Sequence, residues 1–175
     1  MRLIHYSKKP IVKIYSTHSQ PSLGGTWGLL GKPYGLWVSA VDIQGTEENH
    51  GWKEWCKAEE FAQDRFNYET EIILKPDAKI LHLECPTDID CFTEKYRLED
   101  NVFKGRFSWQ LDWKLIASEY QGIIIAPYQW SRRMADHTFW YYGWDCSSGC
   151  IWDADVIESF VCRETPKRMI REVEE

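Results

Sequence analysis

Hydrophobic and polar positions along this chain follow two periods, and the switches between them divide it into short strands and a few helices. Strand-like stretches are Arg2–Tyr6, Ile11–Ser16 beyond Pro10, Gly35–Ala40, Tyr68–Lys75 and, past Pro76-Asp77, Lys79–Leu83. Gly122–Pro127 is a short, unbroken apolar run of the buried type, and Gly149–Trp152 gives a further strand. Trp140–Trp144 is aromatic without clear alternation. The helical period appears where Trp52, Trp55 and Cys56 recur at i, i+3, i+4, which predicts a helix over Trp52–Gln63. Pro86–Arg97 reads as a second helix capped by Thr87 or Asp88. Trp109, Trp113, Ile116 and Tyr120 place a third over Ser108–Tyr120, with Ser108 as its cap. Loops rich in Gly, Ser and Pro fill Thr17–Tyr34 and Asp42–Gly51, the first long enough to act as a flap. Tyr128–His137 has no clear pattern, and Asp155–Glu164 fits a strand or a short helix. No internal repeat is visible.

This mixture predicts an α+β fold, and 175 residues is the usual size of one domain. The domain is expected over 1–165, with 166–175 a charged C-terminal tail. A net charge of −6 argues against broad contact with nucleic-acid backbones. Lys8–Lys9, Arg132–Arg133 and Lys167–Arg168 leave room for a local basic patch that meets nucleic acid. Apolar runs are too short for a membrane span. Six cysteines without an apolar signal segment at Met1–Lys9 point to a reducing, cytoplasmic setting.

Aromatic content changes the picture most: ten Trp, nine Tyr and seven Phe serve core packing, yet several stand beside Gly, Ser and Asp, where they would wall a flat ligand. In His5-Tyr6-Ser7, strand alternation puts His5 and Ser7 on one face and Tyr6 on the other, and a strand imidazole suits gripping a ribose hydroxyl and an amide. Trp37 and Ser39 share the opposite face from Leu36 and Val38, offering an indole and a hydroxyl together. Trp144-Asp145-Cys146-Ser147-Ser148-Gly149-Cys150-Ile151-Trp152-Asp153 is the densest constellation, with small residues that let the backbone approach something bulky. Cys146 and Cys150 with His5 or His137 form a weak zinc candidate, and a Cys–His nucleophile pair is an equally weak one. Glu69 and Glu71 read as the outer face of an amphipathic strand.

The order of these motifs resembles the ADP-ribosyltransferase superfamily, closest to its diphtheria-toxin-like and poly(ADP-ribose) polymerase-like branch, in short motifs scattered over residues 2–157. The resemblance implies a split mixed or antiparallel sheet with a few helices, and NAD as substrate. It gives His5, with Tyr6 beside it, the contacts to the adenine-side ribose and the nicotinamide amide. Ser39 borders the nicotinamide, Trp37 is the second-strand aromatic, and Trp52 or Trp55 supplies a stacking ring. The family's catalytic Glu position falls on Ser148, which leaves Asp145 as the nearest acid to steady a ribosyl cation. The acceptor would be a macromolecule, protein or nucleic acid. Two other readings stand beside transfer: a non-catalytic nucleotide- or partner-binding module on the same fold, and a phage- or bacterium-type accessory protein whose aromatics pack a core and an interaction surface.

Overall fold

A computed structural model describes residues 1–20, 32–44, 51–98 and 110–166. Its seven strands are β1 (Arg2–Ser7), β2 (Leu36–Val41), β3 (Tyr68–Leu74), β4 (Ile80–Leu83), β5 (Gly122–Ile125), β6 (Ser148–Ile151) and β7 (Ile157–Glu164). They form one sheet in the order β4-β5-β6-β2-β1-β3-β7. β4 and β5 are parallel, and every other neighbouring pair is antiparallel. A parallel pair needs a crossover, and α2 (Pro86–Tyr96) and α3 (Trp113–Glu119) lie within it. The other helices are α1 (Trp52–Ala58), ahead of β3, and α4 (Trp130–Arg133), which leads into a 3-10 segment at Asp136–Gly143. The result is a single α+β domain on a mixed sheet.

Both faces of the sheet are covered, and the period-two pattern decides which residue faces which way. Leu3, Val38, Ala40, Ile72 and Ile124 pack together on one face. Their chain neighbours Trp37, Ile123 and Ile125 join the other, with Cys150 of β6, beneath Ile89 and Phe92 of α2, Trp113 and Ile116 of α3, and Trp140 and Tyr141. Burying each such side chain is worth roughly 1.5–3 kcal/mol, so the aromatic face dominates the apolar stabilisation. Gly149 lies where β5 and β6 press together: a Cβ there would sit 2.6 Å from Ile123 O and 2.8 Å from Ile124 Cγ1. The bulky neighbour expected near this glycine is therefore Ile124.

Several expected elements are corrected. Ile11–Ser16 forms no strand: Val12 is 87% and Tyr15 71% exposed. The segment beyond Pro10 is instead tied to the far end of β6, through Thr17 N–H to Trp152 O at 2.7 Å and Ser16 Oγ to Asp153 Oδ1 at 3.3 Å. The first helix ends at Ala58 rather than Gln63, because Glu60 and Ala62 take left-handed φ of 50° and 49°. α2 is capped from Cys85, with the Asp88 carboxylate accepting the Glu84 and Cys85 N–H groups at 2.8 and 3.0 Å. α3 begins at Trp113, where Asp112 accepts the Lys114 and Leu115 N–H groups; the expected cap Ser108 and Trp109 lie outside the described residues. Trp140–Gly143 belongs to the 3-10 segment, and the last unclear stretch resolves into a turn at Ala154–Val156 followed by β7.

One irregularity positions everything that follows. The β1–β2 ladder holds only Arg2↔Val41, Leu3↔Ala40 and Ile4↔Ser39. Past that point β1 stays with β3 as far as Ser7, while β2 stays with β6 back to Leu36. The sheet thus forks between β1 and β2.

Candidate functional site

A cavity of about 330 Å³ opens at this fork. One prong gives Ile4, His5 and Tyr6, the other gives Trp37, Val38 and Ser39. Trp52 of α1 and Arg65 border it, and the run ahead of β6 adds Trp144, Asp145, Cys146 and Ser148, with Lys32 from the approach to β2. Of the residues singled out in the sequence, His5, Tyr6, Trp37, Ser39, Trp52, Asp145 and Ser148 meet here, although up to 143 positions separate them. Trp55 does not line the cavity. It stacks behind Trp52, with ring centroids 5.2 Å apart and planes 15° from parallel.

His5 bridges the fork. Its Nδ1 lies 2.7 Å from the Trp37 carbonyl oxygen, an acceptor that requires Nδ1 to carry the proton. Burial lowers the His5 pKa from 6.5, against the opposing pull of that hydrogen bond, so the ring is neutral at pH 7. Nε2 is left as an acceptor, with no protein partner among the described residues. The expected grip of a ribose hydroxyl and an amide together is therefore corrected: one nitrogen is spent on the protein, and only Nε2 is left. Burial, with the Glu69 charge second, raises the Tyr6 pKa, so the phenol stays protonated.

Both serines have structural duties. Ser39 Oγ accepts the Trp52 N–H at 2.8 Å, anchoring the start of α1, and Gly51 is needed there because a Cβ would come within 2.7 Å of that oxygen. Ser148, opposite Ser39 in the β2–β6 register, donates to Cys146 O at 3.0 Å. Ser39 retains its own proton for donation to a ligand.

Trp37 is held between Trp144, at 4.8 Å between ring centroids, and the Lys32 ammonium, 5.0 Å from its ring. Trp144 is fully buried, and its indole N–H has no hydrogen-bond partner among the described residues. A buried donor left unpaired costs about 1–3 kcal/mol. Asp145 is half-buried and accepts from Arg133 at 2.9 Å. Burial raises its pKa above 3.8, while Lys32 and Arg133 pull the other way.

Burial pushes the Cys146 thiol up to about 12 and raises Cys150 further, which opposes thiolate formation and weighs against the Cys–His nucleophile. Among the described residues no three His, Cys, Asp or Glu side chains gather as a metal cluster. Glu69 and Glu71 are engaged by Lys53 at 2.6 Å and Arg2 at 2.8 Å. Of the basic patches, Lys8 pairs with Asp64, Arg132 with Asp90 at 2.7 Å and Arg133 with Asp145, and Lys167–Arg168 lies outside the described residues.

Lys32, Arg65 and Trp144 are wall residues that the sequence reading gave no role. Trp144 stood inside the quoted constellation, and its neighbour Asp145 was the available signal. Lys32 and Arg65 come from irregular backbone, where no periodicity marks a face. Among the described residues no helix is long and apolar enough to cross a membrane. No protein-family model, no curated protein and no solved structure matches this chain.

Proposed function

We propose that the fork between β1 and β2 is an NAD-binding cleft on an ADP-ribosyltransferase-like domain. The observation that carries this reading is convergence: His5 from β1, Trp37 and Ser39 from β2, Trp52 from α1 and Asp145 and Ser148 at β6 line one cavity. Its volume is at the lower end of the roughly 300–1,000 Å³ typical of small-molecule sites, enough for the nicotinamide and its ribose while the rest of the dinucleotide extends outward. Trp52 offers a face to the planar ring, the Ser39 hydroxyl offers a donor to the carboxamide oxygen, and His5 Nε2 accepts from a ribose hydroxyl. NAD supplies a glycosidic bond whose leaving group departs as neutral nicotinamide.

Transfer would break the C1′–N bond, the electron pair leaving with nicotinamide. An acceptor nucleophile then bonds C1′ and gives up its proton. The ribosyl cation between these events needs a nearby negative charge, and Asp145 is the carboxylate in the cavity wall. Its pairing with Arg133 reduces the charge it can offer, and the Ser148 hydroxyl supplies none. These two features favour binding without transfer as the second reading.

Calorimetric titration with NAD, together with a nicotinamide-release assay, tests both. Wild-type protein is expected to bind NAD, and His5→Ala to bind at least tenfold more weakly, the scale of one lost hydrogen bond to a buried partner. Release abolished by Asp145→Asn at retained affinity would establish transfer, whereas binding with no release in wild type would establish the module. Absence of NAD binding by the wild type sinks the reading.

A further inference from the structure

We infer that Arg65 and Lys32 form an anion subsite in this cleft, which takes the phosphate groups of a nucleotide ligand. Arg65 ends the short 3-10 turn Gln63–Arg65 between α1 and β3, and Lys32 approaches β2 from the other side of the fork. Both line the cavity. Among the described residues, neither side chain has an ion pair, and the guanidinium of Arg65 has no hydrogen bond. Arg2, Arg97, Arg132 and Arg133 are each held by a carboxylate, whereas among the described residues Arg65, like Arg163, is not, and of these two Arg65 lines the cavity.

Charge complementarity identifies the ligand class. The chain carries a net charge of −6, yet this wall holds two cations, Lys32 and Arg65, and one carboxylate, Asp145, which both Lys32 and Arg133 act on. Glu69, which stands near Tyr6, is likewise held by Lys53. The lining of the cleft thus carries more cations than carboxylates, in an acidic protein. A single carboxylate would satisfy one of the two cations, whereas a diphosphate brings charge for both. The planar guanidinium suits bidentate contact with phosphate oxygens, and the ammonium acts as a point charge, here partly withdrawn from water against the Trp37 ring. Partial burial of the Lys32 ammonium strengthens its contact relative to open surface.

The inference rests on the NAD reading only for the identity of the diphosphate's substituents, and its test separates the two. Inorganic pyrophosphate, NAD and nicotinamide riboside are titrated into the full chain. Calorimetry measures the heat, and the emission of Trp37, Trp52 and Trp144 reports occupancy from the wall. Wild type is expected to bind pyrophosphate and NAD. Arg65→Gln is expected to weaken both about tenfold while leaving the riboside unchanged, Arg65→Lys to recover most of the loss, and Lys32→Gln to weaken both again. Arg65 is exposed, so its variants keep the fold, which their urea midpoints confirm. NAD binding that Arg65→Gln and Lys32→Gln leave untouched overturns the subsite while the NAD reading stands. Arg65-dependent pyrophosphate binding without NAD binding leaves the subsite and removes NAD. Binding of none of the probes overturns both.

Discussion

Two regions of this molecule use tryptophan in opposite ways. Beneath β4, β5 and β6, Trp140 and Trp152 are buried and spend their indole N–H groups within the protein, on Thr93 Oγ1 at 2.7 Å and Tyr120 O at 2.6 Å. Trp140 packs edge-on against both Phe92 and Trp113. At the fork, Trp37 and Trp52 keep ring surface on a cavity, and the buried Trp144 N–H has no partner among the described residues. A satisfied indole is explained by stability. An unsatisfied one is a cost of about 1–3 kcal/mol that packing around it must offset.

Removing one ring from each region tests that contrast most severely. Trp140→Ala leaves a void in the aromatic face and is expected to cost about 3–5 kcal/mol in urea unfolding, with no change in affinity per folded molecule. Trp52→Ala gives up mainly its stacking on Trp55, worth about 1 kcal/mol, but is expected to weaken NAD binding severalfold. Equal stability losses with no effect on binding would erase the distinction between core and cleft.

A finer cut addresses the indole N–H itself. Thr93→Val keeps the side-chain shape and takes away the acceptor of Trp140, creating in the core the condition that Trp144 has naturally. The expected loss is about 1–3 kcal/mol, read as a lower urea midpoint at constant slope. If the variant is as stable as wild type, an orphaned indole costs little in this protein, and the Trp144 donor is no burden on the fold.

The same contrast explains what could be read in the sequence. Core elements were legible because burial enforces periodicity: Gly122–Pro127 had to be a buried strand, and Leu36 and Val38 had to oppose Trp37 and Ser39. Ile11–Ser16 misled because β-branched residues mark a strand only where a neighbour offers a free edge, and this segment is anchored near Asp153 instead. The third helix misled at its start because Asp112 caps it within the pattern that Trp109 seemed to extend. At the site, His5, Ser39 and Asp145 were chosen for their chemistry, and the fork that gathers them comes from a ladder ending at Ile4↔Ser39, which no local pattern announces. Arg65 was illegible for the same reason: its place in the wall follows from the turn after α1, not from any face of a helix or strand.

The smallest expected effect concerns protons at the fork. The folded state holds His5 below its usual pKa of 6.5, chiefly through burial. In the unfolded chain the ring takes up its proton first as pH falls, so the His5 contribution to stability is complete above 6.5 and is lost as pH drops through the folded value. Asp145 runs in the opposite sense: its folded pKa is raised above 3.8 by burial, so its contribution is complete below 3.8 and declines as pH rises through the folded value. The two slopes oppose each other between these limits, and the wild-type profile alone would hide both. His5→Gln keeps an N–H that can donate to Trp37 O but cannot titrate, so subtracting its urea-derived stability profile from that of wild type isolates the imidazole. The difference should be flat above pH 6.5 and fall on the acid side. A difference that is flat throughout would mean that the His5 ring is no more buried than in the unfolded chain, and the neutral acceptor assigned to its Nε2 would have no basis.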